Sequence, residues 1–227
     1  MAIFLDSGDL GEVEKFMKMG IIRGVTTNPT ILVKEGFKGG MKLFKKLVIE
    51  IAEIIHPYPL SVAVTTNGRE EMLAQAEEFS GWAENINVKI PVHGPRGELD
   101  NLEIVHILEI ESDIRVNVTA MMSAQQGFLA ALAGATYISL FGGRINDMGY
   151  SCIDEIIKLR NLIDEFDLKA QIVVGSTREV SNIVEWLEAG ADVVTVSPKF
   201  LQKMLVHPYT KETVQMFLDD ARKLTER

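Results

Sequence analysis

Apolar positions along this chain follow two alternating rhythms. Short runs rich in β-branched residues recur eight times: AIFLD (2–6), GVTTN (24–28), LSVAVT (60–65), NVKIPV (87–92), RVNVTA (115–120), YISLF (137–141), QIVVGS (171–176) and DVVTVS (192–197). Between them lie longer stretches, such as MKLFKKLVIEIAEII and SCIDEIIKLRNLIDEF, in which apolar residues return every three or four positions. The first rhythm is that of strands covered on both faces, the second that of helices with one apolar face. The tripeptide AGA stands at 133–135 and 189–191, each time between a helical stretch and the next strand, where glycine stops the helix. Eight strands, each followed by helix, predict an α/β fold: a (β/α)8 TIM barrel. An open doubly wound sheet shares this alternation, but no G-x-G-x-x-G follows the first strand. No linker rich in Pro, Gly or Ser divides the chain, so residues 1–227 read as one domain.

Two helical pieces follow the eighth strand, PKFLQKML and TKETVQMFLDDARKLTE. The second is expected to begin at Thr210, with Glu212 close behind as part of an N-terminal cap. Its Val214, Phe217, Leu218, Ala221 and Leu224 form an apolar stripe on an otherwise charged helix. One helix is enough to close the barrel. Residues 210–227 are therefore left to pack either on their own barrel or on a neighbouring subunit.

One strand breaks its pattern. Val88, Ile90 and Val92 read as buried, yet Lys89 sits among them, and lysine is almost never fully buried without a partner. In barrels of this kind the chemistry lies at the C-terminal ends of the strands. The polar residues there are Asp6, Thr26, Thr27, Asn28, Thr65, Lys89, Asn117, Thr119, Arg144, Ser176 and Arg178. Lys89 reads either as a salt-bridged rim lysine or as an amine that forms a Schiff base, since apolar surroundings favour the neutral nucleophile. Asp6 would cap the helix starting near Asp9, or move protons beside the amine. Asn28 would cap the helix begun by Pro29, or bond a substrate hydroxyl. Arg144, Ser176 and Arg178 lie beside glycines and a helix start after the sixth and seventh strands, a setting suited to a tetrahedral anion.

Composition narrows the partners. The net charge of −9 argues against nucleic acid and anionic membranes. A single cysteine, Cys152, excludes an internal disulfide and a multi-cysteine metal site. The sequence holds no metal-ligand cluster and no cofactor fingerprint, so no cofactor and no metal are expected. The start MAIFLDSGDL lacks the features of a signal peptide, and no apolar run approaches the roughly 20 residues that span a bilayer. A cytoplasmic location is expected.

The motifs FLDS, GVTTNPTIL, VKIPV, NVTAMMSAQQ, FGGRINDMG, VGSTRE and GADVVTVSP, in this order from Met1 to about Pro208, resemble the transaldolase family. The likeness is to its short subfamily, which includes fructose-6-phosphate aldolase and the small transaldolases. It implies transfer of a dihydroxyacetone unit from a ketose phosphate to an aldehyde, within the pentose phosphate pathway. Lys89 would form the imine, Asp6 would be the acid and base, and Thr119 would position a catalytic water. Asn28, Thr27, Asn117 and Phe141 would line the substrate, and Arg144, Ser176 and Arg178 would hold its phosphate. Sugar phosphates would be the small-molecule partners, and a homo-oligomer of five or ten copies is implied. The related readings are a lyase that releases dihydroxyacetone, a relative acting on a sulfonated ketose, and a sugar-phosphate-binding barrel with little turnover.

The chain departs from the family on its third strand. There the family carries glutamate or glutamine to hold the catalytic water, and this chain has Ala63. Thr65, two residues on, is expected to face the same way and partly replace it. Phe141 matches the transferase branch, the aldolases having tyrosine there. In the loop HGPRGELD, His93 and Arg96 would either reach over the mouth or simply form a surface turn.

Overall fold

The computed structural model describes residues 2–225. Met1, Glu226 and Arg227, which the sequence reading places in the single domain and, for the last two, in the terminal segment, lie outside the described residues. Eight parallel strands close on themselves in sequence order: β1 (Ile3–Asp6), β2 (Val25–Thr26), β3 (Leu60–Ala63), β4 (Ile86–Pro91), β5 (Val116–Met121), β6 (Tyr137–Phe141), β7 (Gln171–Gly175) and β8 (Val193–Val196), with β1 pairing both β2 and β8. Each predicted strand is present. Around them run α1 (Leu10–Lys18), α2 (Pro29–Lys34), α3 (Met41–Ile55), α4 (Arg69–Ser80), α5 (Asp100–His106), α6 (Ala124–Leu132), α7 (Gly142–Asp147), α8 (Cys152–Glu165), α9 (Ser181–Glu188) and α10 (Pro198–Leu205). A π-helical turn, Ile107–Glu111, continues α5.

The apolar rhythm becomes two packed layers. Between strands and helices, Phe16, Ile51, Phe79, Leu159 and Trp186 are fully buried against the outward faces of the sheet. Inside the barrel, Phe4, Tyr137, Val173 and Val193 form a separate small cluster. Above this apolar floor the inward positions turn polar, with Ser61, Asn87, Asn117 and Ser139 all buried. A barrel filled from below and polar above directs chemistry to its upper mouth.

Both AGA segments behave as the sequence predicts. Gly134 and Gly190 take φ of 104° and 110°, a region glycine enters without penalty. The amides of Ala135 and Ala191 reach back to the carbonyls of Ala130 and Trp186, while the glycine amides bond Ala131 and Leu187. This double closure satisfies the last helical carbonyls and turns the chain into β6 and β8.

The final helix departs from expectation at its start. Helix α11 runs Pro208–Thr225, so Thr210 lies inside its first turn and is not its cap. Pro208 explains the earlier start, because its fixed φ suits the first helical position and its missing N–H costs nothing there. None of its residues is buried. Phe217 and Leu224 are 61% and 81% exposed, so the apolar stripe does not pack on its own barrel.

Candidate active site

Lys89 points from the middle of β4 into the barrel, between Ala63 on β3 and Asn117 on β5 in the ladder register. It is 5% exposed, and among the described residues it has no ion-pair partner within 4.0 Å. The salt-bridged reading of Lys89 is therefore not what the fold builds. Burial pushes its pKa below that of an ordinary lysine, against a smaller opposing pull from Asp6. Losing hydration disfavours the ammonium, which leaves a neutral amine more accessible.

Asp6 ends β1 and does not cap α1. The cap is Asp9, whose side chain accepts from the Glu12 amide at 2.9 Å. Asp6 instead accepts from the Thr26 hydroxyl at 2.7 Å. It keeps part of its surface open at the mouth, yet burial lifts its carboxyl above the usual range, with Lys89 and Thr26 pulling the other way. Both shifts have one cause. For each group the loss of water outweighs the attraction between them, so each pKa moves in the direction that favours the neutral form.

Thr26 was visible at its strand end, but the sequence reading gives the substrate contact to Thr27. The fold separates the two. Thr26 faces inward, 2.5 Å from the Thr195 hydroxyl as well as bonded to Asp6. Since Thr26 has one proton, given to Asp6, Thr195 must donate to Thr26. Thr27 turns the other way, its hydroxyl donating to the Ser61 carbonyl at 3.2 Å. The available signal was period two: Asp6 and Thr26 are register partners across β1 and β2.

Two predicted residues lie deeper than expected. Asn117 is fully buried; its Nδ2 donates to Ser61 Oγ at 3.0 Å and its Oδ1 accepts from Ser139 at 2.6 Å. It is gripped from both sides, beneath the mouth. Thr119 is 7% exposed and its Oγ1 is a buried hydroxyl with no protein partner. Such an atom needs a bound molecule to complete it. The adjoining Ala120 has φ of 62°, where β5 shifts register between Val118 and Met121. A bulge of this kind re-aims side chains, here at the level of Thr119.

Asn28 performs the predicted capping role: its Oδ1 accepts from the Ile31 amide at 3.0 Å, which leaves its own N–H groups as donors. Thr65 lies two residues past the end of β3 at Ala63, and the two line the same cavity beside the mouth. The Thr65 hydroxyl accepts from Gln75 Nε2 at 2.9 Å and is thereby tied to α4. His93 and Arg96 belong to a surface turn, in which Arg96 pairs with Glu98 at 2.9 Å and His93 contacts the Gly94 carbonyl.

Across the mouth, the ends of β6 and β7 touch. A Cβ on Gly143 would stand 1.8 Å from the Ser176 carbonyl and 2.9 Å from Arg178 Cγ, so only glycine permits this approach. Ser176 itself holds a φ of 63°, a strained value for serine. Arg144 lies over the Phe141 ring at 5.3 Å, and Arg178 pairs with Asp147 at 2.9 Å. Arg144, Ser176, Arg178 and Phe141 are thus brought together. Just ahead of the helix start, Asn182 Oδ1 accepts from the amides of Arg178 and Glu179, while α9 itself has no side-chain cap. Among the described residues no group of three His, Cys, Asp or Glu side chains is placed to hold a metal ion, and no helix is long and apolar enough to cross a membrane.

Residues 3–227 match the family described as Transaldolase/Fructose-6-phosphate aldolase. The chain is 38% identical over 220 residues to a protein of Carboxydothermus hydrogenoformans named "Probable transaldolase", covering 97% of each. It is 35% identical over 227 residues to "Probable transaldolase 2" of Listeria monocytogenes, covering 100% of this chain and 99% of that one. Among solved structures, thiamine phosphate pyrophosphorylase from Pyrococcus furiosus superposes with a TM-score of 0.59 at 11% identity, over 86% of this chain and 85% of that one. At that identity the likeness concerns the barrel alone.

Proposed function

This chain belongs to the transaldolase/fructose-6-phosphate aldolase family, and from that premise we propose that it transfers a dihydroxyacetone unit from a ketose phosphate to an aldehyde through an imine on Lys89. The observation that carries the reading is the burial of Lys89 inside the barrel without an ion-pair partner, beside a carboxyl that burial also pushes toward its neutral form. The neutral amine adds to the ketose C2 carbonyl, water leaves, and a protonated imine results. Asp6 takes the proton of the C4 hydroxyl, and the C3–C4 bond breaks into the imine, leaving an enamine and a free aldehyde. Addition of the enamine to a second aldehyde and hydrolysis return the amine. Thr119 would hold the water for that last step, Asn117 would brace the wall beside Lys89, and Asn28 would bond a hydroxyl of the bound unit. Phe141 supports transfer over release.

Fructose 6-phosphate incubated with and without an aldose phosphate acceptor tests this. Glyceraldehyde 3-phosphate should exceed one equivalent per subunit only when the acceptor is present. Free dihydroxyacetone released without an acceptor would make the protein a lyase instead.

Arg144, Ser176 and Arg178 are proposed to hold the phosphate. Arg144→Ala should raise KM for a phosphorylated donor by about 10- to 100-fold, the worth of a charge-assisted hydrogen bond. The loss in Arg178→Ala should be the smaller of the two, because this guanidinium is already shared with Asp147. An unphosphorylated donor should be much less affected, and equal losses on both donors would show that the arginines merely support the barrel.

We read residues 1–227 as one domain whose terminal helix seats on a neighbouring copy in a homo-oligomer of five or ten. An isolated helix takes most of its stability from packing, and α11 has no buried residue of its own. Deleting the chain from Thr210 onward should give a smaller species in light scattering. A full-length protein that is monomeric at micromolar concentration would sink this assembly.

A further inference from the structure

Glu35 stands where an acid is least expected. It closes the C-terminal end of α2, where the helix dipole favours a cation such as the neighbouring Lys34. Its carboxylate is nonetheless engaged at both oxygens. Oε1 accepts from the Ser7 hydroxyl at 2.5 Å and Oε2 from the Gly8 amide at 2.8 Å. Ser7 directly follows Asp6, is completely buried, and accepts in turn from the Asp9 amide at 3.1 Å. A Cβ on Gly8 would stand 2.3 Å from Leu32 Cδ2, so this loop runs flush against α2. On its other side α2 faces α3 across a cavity of about 210 Å³, walled by Leu32, Phe37, Met41 and Phe44.

These contacts join two parts of the mouth. Asn28 caps the near end of α2 through the Ile31 amide, so its own amide group turns whenever the helix turns. That near end is fixed to the barrel by Thr27, whose hydroxyl holds the Ser61 carbonyl. Glu35 fixes the far end, and fixes it to the residue that follows Asp6. A helix held at one end can pivot; held at both ends it cannot. We propose that Glu35 is a positioning residue, whose carboxylate locks the chain after Asp6 to the helix that carries Asn28, so that the two keep one mutual orientation. The inference rests on the imine reading of Lys89 and on the roles given above to Asp6 and Asn28. Glu35 meets no reacting atom in that scheme. It acts through geometry, and a misplacement of about 1 Å can cost about 100-fold in rate.

Glu35→Ala, Glu35→Gln, Ser7→Ala and the double variant Ser7→Ala/Glu35→Ala, all in the full-length protein, test the clamp. Turnover of fructose 6-phosphate with an aldose phosphate acceptor is read beside borohydride trapping with dihydroxyacetone, well below each variant's melting temperature. In trapping, the amine displaces the carbonyl oxygen as water, and hydride reduces the imine to a stable secondary amine whose mass is read on the Lys89 peptide. Glu35→Ala should lower kcat about 10- to 100-fold while the adduct yield stays within about twofold of the parent, because Lys89 is on β4, outside the clamp. Glu35→Gln keeps an oxygen for the Gly8 amide and should recover most of that loss. The double variant should be no slower than Glu35→Ala, since both changes cut one contact. An unchanged kcat in Glu35→Ala, losses that multiply in the double variant, or an adduct yield that falls in step with turnover would each overturn the clamp alone. A parent that forms no adduct, or forms it without turnover, would overturn the reaction itself and the clamp with it.

Discussion

Lys89→Met should abolish turnover, a loss of about 10⁴-fold or more, and remove the borohydride-trapped adduct while raising the melting temperature. The two effects have one origin. The amine is inside a barrel whose walls lower its pKa, and it has no ion-pair partner within 4.0 Å among the described residues. A thioether of similar length removes both the nucleophile and the cost of burying its charge. For a polar group buried neutral and without a hydrogen bond the cost is about 1–3 kcal/mol on mutational scales, and each kcal/mol moves the melting point by roughly 2–4 °C for a chain of this size. Lys89→Arg should also lose the adduct, but with a lower melting temperature, because guanidinium stays charged wherever it is put. Scanning fluorimetry and peptide mass spectrometry read both outcomes. An adduct that survives in Lys89→Met, or a variant less stable than the parent, would mean that Lys89 is a structural residue.

The pH dependence follows from the same shift. Folding lowers the pKa of Lys89 below its unfolded value of 10.5. Between the folded value and 10.5 the unfolded chain holds more protons, so this group makes stability rise with pH across that window. Below the folded value its penalty is fully present. Lys89→Met should therefore gain most over the parent on the acid side of the window, and the gain should fade as pH approaches 10.5.

Much of this was legible because periodicity is a physical demand on the whole chain. YISLF and MKLFKKLVIEIAEII form β6 and α3 at the predicted bounds, since burial on both faces and burial on one face leave different spacing. The anomaly at Lys89 was legible for the same reason. What escaped was direction at strand ends. With only Val25 and Thr26 in β2, the alternation is too short to say which threonine faces Asp6. The bond that ties Thr65 to Gln75 on α4 is a tertiary contact that no strand pattern encodes. The grip of Ser61 and Ser139 on Asn117 joins three strands, and no local pattern encodes it. The 210 Å³ cavity is likewise a product of packing between α2, α3 and β3, and only its edge at Ala63 showed in the sequence.

Asp6→Asn should separate imine formation from bond cleavage. The amide keeps the size of the carboxyl and an oxygen to accept from Thr26, but it cannot take the proton of a hydroxyl. Turnover should fall by about 10²- to 10⁴-fold, the range for losing a positioned acid or base, while the Lys89 adduct still forms. The adduct should also form at lower pH than in the parent. The Asp6 charge is what raises the Lys89 pKa against burial, so removing it lets the amine lose its proton earlier. Stability should shift in a matching sense. Folding raises the Asp6 pKa above 3.8, so between 3.8 and the folded value the folded state holds more protons and this group makes stability fall as pH rises. Asp6→Asn should lack that fall and be the more stable protein above the window. A trapping midpoint that stays fixed or moves to higher pH would show that Asp6 does not act on Lys89. Loss of the adduct together with turnover would place Asp6 in imine formation and not in cleavage of the C3–C4 bond.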